Sequence, residues 1–170
     1  MTLHAPWRME YLKSIEHADQ SAGGCFICQA IAALDQPAQR RARLVLWATP
    51  HVIVMMNRFP YASGHLLVSP RSHLGELYAL SHEELVDLQI QTAAAVRLVE
   101  RAVSPQGFNI GINQGRAAGA GLPAHLHQHV VPRWGGDVNF ISVVGTVRVQ
   151  PQAMEAVYEQ LLALREKSAV

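Results

Sequence analysis

The chain has 170 residues, 49% of them apolar and 16% charged, with 14 basic and 13 acidic side chains and a net charge of +1. That length carries one domain with a sizeable core, and the balanced charge argues against a nucleic-acid or membrane-surface partner. No apolar run reaches the length of a membrane span. The opening MTLHAPWRMEYLKS lacks the apolar stretch of a secretory signal, and two cysteines in one CxxC do not make a disulfide scaffold. The cytoplasm is the expected location.

Residues 1–24 read as an arm docked through Trp7 and Tyr11 that ends in Ser21-Ala22-Gly23-Gly24. Cys25 opens a short apolar helix to about Leu34, and the polar stretch from Asp35 to Arg43, with Pro37 and three arginines, reads as a loop. Leu44–Trp47 is an expected strand. Val52-Ile53-Val54-Met55-Met56 is a continuous apolar run, as a buried central strand requires. His65-Leu66-Leu67-Val68-Ser69 follows after the turn-rich Asn57–Gly64, so these two strands are expected to be antiparallel.

A long helix is expected from Ser81 to Val103. Ser81 and Glu84 form a capping box, Leu80 and Leu85 a hydrophobic staple, and Leu85, Leu88, Thr92, Ala95, Val96, Val99 and Val103 one core-facing stripe. Phe108 to Asn113 alternates apolar and polar residues. A Gly/Ala-rich loop occupies 114–124. Further β-rich pieces are expected around Gly145, and a C-terminal helix over 150–170 carries Met154, Val157, Leu161 and Leu164 on its inner face. The whole reads as one α+β domain, residues 1–170, with an antiparallel sheet.

The chemistry gathers at His125-Leu126-His127-Gln128-His129-Val130-Val131. In a strand, His125, His127 and His129 point one way and Leu126 and Gln128 the other. Imidazoles about 7 Å apart repel by about 2.5 kcal/mol when both are charged, taking an effective dielectric of 20. Mostly neutral rings follow at neutral pH, and a neutral ring is a nucleophile or a metal ligand. His127, flanked on both sides, is the expected nucleophile. Gly115, Gly119 and Gly121, just upstream, would let backbone N–H groups approach an anion. Cys25 and Cys28 have metal-ligand spacing, but two more ligands must come from elsewhere; a redox CxxC is the competing reading.

HLHQHVV, followed by PRWGGDVNF and preceded by GFNIGINQG, resembles the histidine triad (HIT) superfamily of nucleotide hydrolases and transferases. The likeness is to the branch acting on dinucleoside polyphosphates such as diadenosine tetraphosphate, and it runs from Trp7 to beyond Phe140. It implies a HIT-like fold, a five-stranded antiparallel sheet with one long central helix and a C-terminal helix, paired into a homodimer. It also implies attack by the middle histidine, His127, on the α-phosphorus, through a covalent nucleotidyl-histidine that water or phosphate then resolves. His129 and His65, the latter in Gly64-His65-Leu66-Leu67-Val68-Ser69-Pro70, match the phosphate partners. Asn57 matches the ribose contact, and Asn113, with Gln114 beside it, the polar residues near the phosphates. Phe26 and Ile27, with the apolar residues just before Asn57, would wall a base pocket or else serve as core, and for Val52 and Val54 core is the better reading. The resemblance implies a structural zinc on Cys25, Cys28, His73 and His125, and magnesium could arrive with the substrate. Two departures stand out: Gln128 at an apolar slot, and Gly121-Leu122-Pro123-Ala124 where the family carries a Ser or Thr hydroxyl before the first histidine. Two other readings of the histidines are a catalytic zinc on His125, His127 and His129, and a nucleotide-binding protein without turnover.

Overall fold

The computed structural model describes residues 24–137 and 153–167. The expected arm with Trp7 and Tyr11 and the β-rich pieces around Gly145 lie outside the described residues.

Helix α1, Phe26–Ala32, begins at Cys25, whose Sγ accepts from the Cys28 N–H, and it buries Ile27 and Ala30. A second helix, α2, spans Pro37–Ala42, where the sequence suggested a loop. Pro37 sits in its first turn, where a missing N–H costs nothing, and Ala, Gln and Arg are good helix formers. Its arginines serve the fold. Arg40 donates to the Leu46 carbonyl, Arg43 to Gln29 Oε1, and Arg41 pairs with Glu159.

Strands β1 (Val45–Ala48), β2 (Val52–Met56), β3 (Leu66–Pro70), β4 (Gly107–Ile112) and β5 (Gln128–Arg133) form one antiparallel sheet in the order β1-β2-β3-β5-β4. Helix α3, His82–Val103, carries the complete Ser81/Glu84 capping box, and helix α4 spans Met154–Lys167. The expected fold class is therefore the one observed.

The sheet is covered on both faces. Val52, Val54, Met56, Leu66, Val68, Leu126 and Val130 pack with Leu88, Ala95 and Val99 of α3 and Val157 and Leu161 of α4. Ile53, Met55 and Leu67 point the other way, onto Cys25, Ile27 and Ala30 of α1. Both faces being buried explains the uninterrupted apolar run of β2. Ile27 is thus core rather than the wall of a base pocket, while Phe26 is 42% exposed.

Candidate active site

The triad segment straddles the start of β5. Only His129 lies inside the strand; His125 and His127 precede it. The β3–β5 ladder begins at Val68 opposite Gln128. Upstream, Leu126 leaves the ladder: its N–H donates to the Leu74 carbonyl and its carbonyl accepts from Ser69 Oγ. The alternation survives. Leu126 enters the α3-side core, and Gln128 donates to Thr92 Oγ1 and accepts from Gln89 on α3, while the histidines face the α1 side. A buried partner on α3 is what allows a polar residue at this position.

The three histidines divide between two centres. His127 Nδ1 is 2.9 Å from the carbonyl oxygen of His125. A carbonyl only accepts, so Nδ1 carries the proton and Nε2 keeps the lone pair. His129 and His65 form the second element of this centre, with His65 Nε2 3.0 Å from His129 Nδ1. The His127 and His129 rings meet edge to face, with centroids 5.1 Å apart. Asn57 lies alongside: its Nδ2 is 3.4 Å from His65 Nδ1 and its Oδ1 accepts from the Phe59 N–H.

The rings of His127 and His129 are biased to the neutral form. Burial, with the neighbouring His127 second, lowers His129 to about 4. Burial also lowers His127. The direction matches the sequence argument, but desolvation outweighs the ring–ring repulsion on which that argument rested.

His125 belongs to the other centre. Its Nε2 is 2.9 Å from the Pro70 carbonyl and so carries the proton, which turns the Nδ1 lone pair to Cys25 Sγ at 3.2 Å and Cys28 Sγ at 3.5 Å. His73 Nδ1 approaches Cys28 Sγ at 3.2 Å. The donor atoms of Cys25, Cys28, His73 and His125 all lie within 4.8 Å of one another. A tetrahedral zinc with S and N ligands would separate them by about 3.5 Å. Both cysteines are free, and burial with Cys25 alongside pushes the Cys28 thiol up to about 11. Two cysteine sulfurs and two imidazole nitrogens gathered this closely make the donor set of a tetrahedral zinc, so the residues fit a metal. His125, His127 and His129 do not converge on a point, so a catalytic zinc on these three finds no geometry here. Among the described residues, the Cys2His2 set is the metal-type cluster.

The glycine-rich loop is ordered by a short 3-10 turn, Arg116–Ala118, which Gly119 closes at φ 84°. Gln114 is held elsewhere, donating to Glu76 and accepting from the Leu77 N–H. Asn113 is half-buried at the end of β4, and Gly121 begins the turn that buries Leu122 against α1. No described contact joins Asn113, Gln114, Gly119 or Gly121 to the histidines. Sequence reasoning passed over Tyr61, whose ring stacks on His65 and His129. Its position four residues before His65 was the available signal.

The HIT domain family model matches residues 39–136, which include β1 to β5 and every histidine of both centres. The chain belongs to the HIT family. This HIT chain is 37% identical over 152 residues to AP-4-A phosphorylase of Mycobacterium tuberculosis, covering 89% of this chain and 77% of the relative. It is 34% identical over 89 residues to bis(5'-nucleosyl)-tetraphosphatase of Schizosaccharomyces pombe, covering 52% of this chain and 48% of that one. A zinc-bound histidine triad protein from Mycobacterium smegmatis superposes with a TM-score of 0.60 at 27% identity, over 75% of this chain and 88% of that one.

Proposed function

We propose that this HIT protein is an enzyme cleaving dinucleoside polyphosphates, diadenosine tetraphosphate among them, at the α-phosphate through a covalent nucleotidyl-His127. The observation that carries the reading is the His127 Nδ1–H bond to the His125 carbonyl, which leaves Nε2 as a neutral, aimed nucleophile. Nε2 attacks the α-phosphorus; the P–N bond forms and the bridging P–O bond breaks. The departing oxygen takes its electron pair, and no proton need move. His129 donates to the oxygens on which charge builds, and His65 supports it through the hydrogen bond from its Nε2 to His129 Nδ1. Asn57 takes the ribose hydroxyls. Asn113 and the backbone around Gly119 and Gly121 take the phosphate chain, while Gln114 orders the loop through Glu76 and Leu77.

The acceptor in the second half-reaction is inorganic phosphate. The M. tuberculosis relative, which this chain matches over 89% of its length, is named as a phosphorylase. A phosphate oxyanion needs no base to attack. Hydrolysis shares the first step and is the second reading, favoured by the likeness to the S. pombe tetraphosphatase.

Zinc suits the Cys2His2 donor set and would tie α1 to the segment carrying His127; it holds structure and takes no step in the reaction. Magnesium would enter with the substrate. A homodimer formed through the sheet edge at β4, where Ile110 is 48% exposed, and a cytoplasmic location complete the reading; no helix of the described residues is long and apolar enough to cross a membrane.

The test is rapid quench with labelled diadenosine tetraphosphate, kept alkaline because phosphoramidates are acid-labile. Labelled protein should form in the wild type and not in His127→Ala. With phosphate supplied, ADP and ATP should appear rather than AMP and ATP. Turnover persisting in His127→Ala sinks the covalent mechanism.

A further inference from the structure

The loop between β2 and β3 carries a relationship that the triad alone does not supply. Gly64 takes φ +80°, and a Cβ there would lie 3.5 Å from both Val99 and Val103 side chains. With the His65 N–H bonded to the Ala62 carbonyl, that turn folds the chain back so that the Tyr61 N–H donates to His65 Nδ1 at 3.0 Å. A backbone N–H only donates. His65 Nδ1 must therefore accept, and the His65 proton is on Nε2. His65 Nε2–H then donates to His129 Nδ1 at 3.0 Å, which leaves the His129 proton on Nε2. Asn57 agrees with this assignment: its Oδ1 accepts from Phe59, so its Nδ2 is the group facing His65 Nδ1.

The ring of Tyr61 adds a second constraint. It stacks on His65 with centroids 4.9 Å apart and on His129 at 5.8 Å, at 28° to each, although the two imidazoles are tilted by 43° to one another. One flat phenol thus braces two rings that a single hydrogen bond would leave free to rock.

We propose that Tyr61 is a positioning residue for the leaving-group side of the site: its amide sets the tautomer of the His65–His129 pair and its ring holds their planes, so that His129 offers Nε2–H to the oxygen that departs. This rests on the covalent reading of His127. Burial keeps His129 neutral, so it acts as a hydrogen-bond donor and surrenders no proton.

A leaving-group series separates this from a merely structural role. Aryl esters of AMP that differ only in phenol basicity share every contact of the nucleotide but develop different charge on the departing oxygen. In Tyr61→Ala, kcat for the p-nitrophenyl ester should change less than about twofold, whereas kcat for the phenyl ester should fall about tenfold, the scale of a lost aromatic contact. KM should change little, and Tyr61→Phe should restore the phenyl ester. An equal fall on both esters, or none, overturns the proposal. Should Tyr61→Ala not fold, Tyr61→Leu keeps bulk without aromatic stacking and is expected to show the same split. Nitrogen-15 spectra of the resting wild-type protein should show His65 and His129 both protonated on Nε2, and the opposite tautomer on either ring refutes the ladder. That spectrum is independent of turnover. Failure to trap nucleotidyl-His127 in the wild type would therefore sink the covalent reading without being mistaken for a failure of the ladder.

Discussion

His125 accepts from His127 Nδ1 through its own carbonyl oxygen, 2.9 Å away, while its ring faces Cys25 at 3.2 Å. One residue therefore stands in both centres, and its backbone sets the tautomer of the ring two places on. Whatever fixes the ring of His125 also fixes the acceptor that aims His127.

Replacing His127 by Ala should abolish nucleotidyl transfer, a loss of roughly a thousandfold or more. It should also cost about 1–2 kcal/mol, because the His125 carbonyl loses its donor in a buried site. Single-turnover assays and denaturant melts on the same preparation measure both.

Removing metal with a chelator, or making Cys28→Ser, should lower the melting temperature by roughly 6–12 °C, as expected for about 3 kcal/mol in a chain of this size. Metal analysis before and after, with calorimetry, checks it. Near-full activity with an unchanged melting temperature in the metal-stripped protein would remove the structural role.

Gly75 passes against the turn that leads into His125: a Cβ there would come within 2.3 Å of the Pro123 carbonyl oxygen, a backbone atom. Gly75→Ala should cost about 1–3 kcal/mol and weaken metal retention together with activity. Zinc release to a chromogenic chelator, compared with the wild type, reads the effect.

His129, at about 4 in the folded protein, ionises near 6.5 when unfolded. Between those values the unfolded state binds the extra proton. The contribution of His129 is present above pH 6.5 and is lost as the pH falls towards 4, with a slope approaching 1.4 kcal/mol per pH unit. The difference in unfolding free energy between wild type and His129→Asn, followed from pH 7.5 to 4.5, should shrink on acidification. A flat difference would contradict this.

Thr92 and Gln128 share a buried hydrogen bond of 3.1 Å between α3 and β5, and Thr92 Oγ1 in turn donates to the Leu88 carbonyl. Thr92→Val alone should cost about 1–3 kcal/mol by stranding the Gln128 amide; adding Gln128→Leu should recover most of it. A double-mutant cycle in urea measures the coupling.

Local rules carried far. The Ser81/Glu84 box, the apolar run Val52–Met56 and the spacing of the histidines all act over a few residues, and each of these features is present in the folded chain. Where a local cue had two meanings, the reading went wrong: Pro37 marks a helix start as readily as a loop, and α2 is the result. Periodicity determined that His125, His127 and His129 share a face. It could not divide them, because the division depends on partners 64 and 100 positions away, His65 for His129 and Cys25 for His125. Side-chain alternation is a property of the backbone itself; which groups meet on a face is decided only when the sheet closes and α1 lies across it. The same holds for Tyr61, whose nearness to His65 along the chain gains its meaning only when the Gly64 turn folds its amide and ring back onto the two histidines.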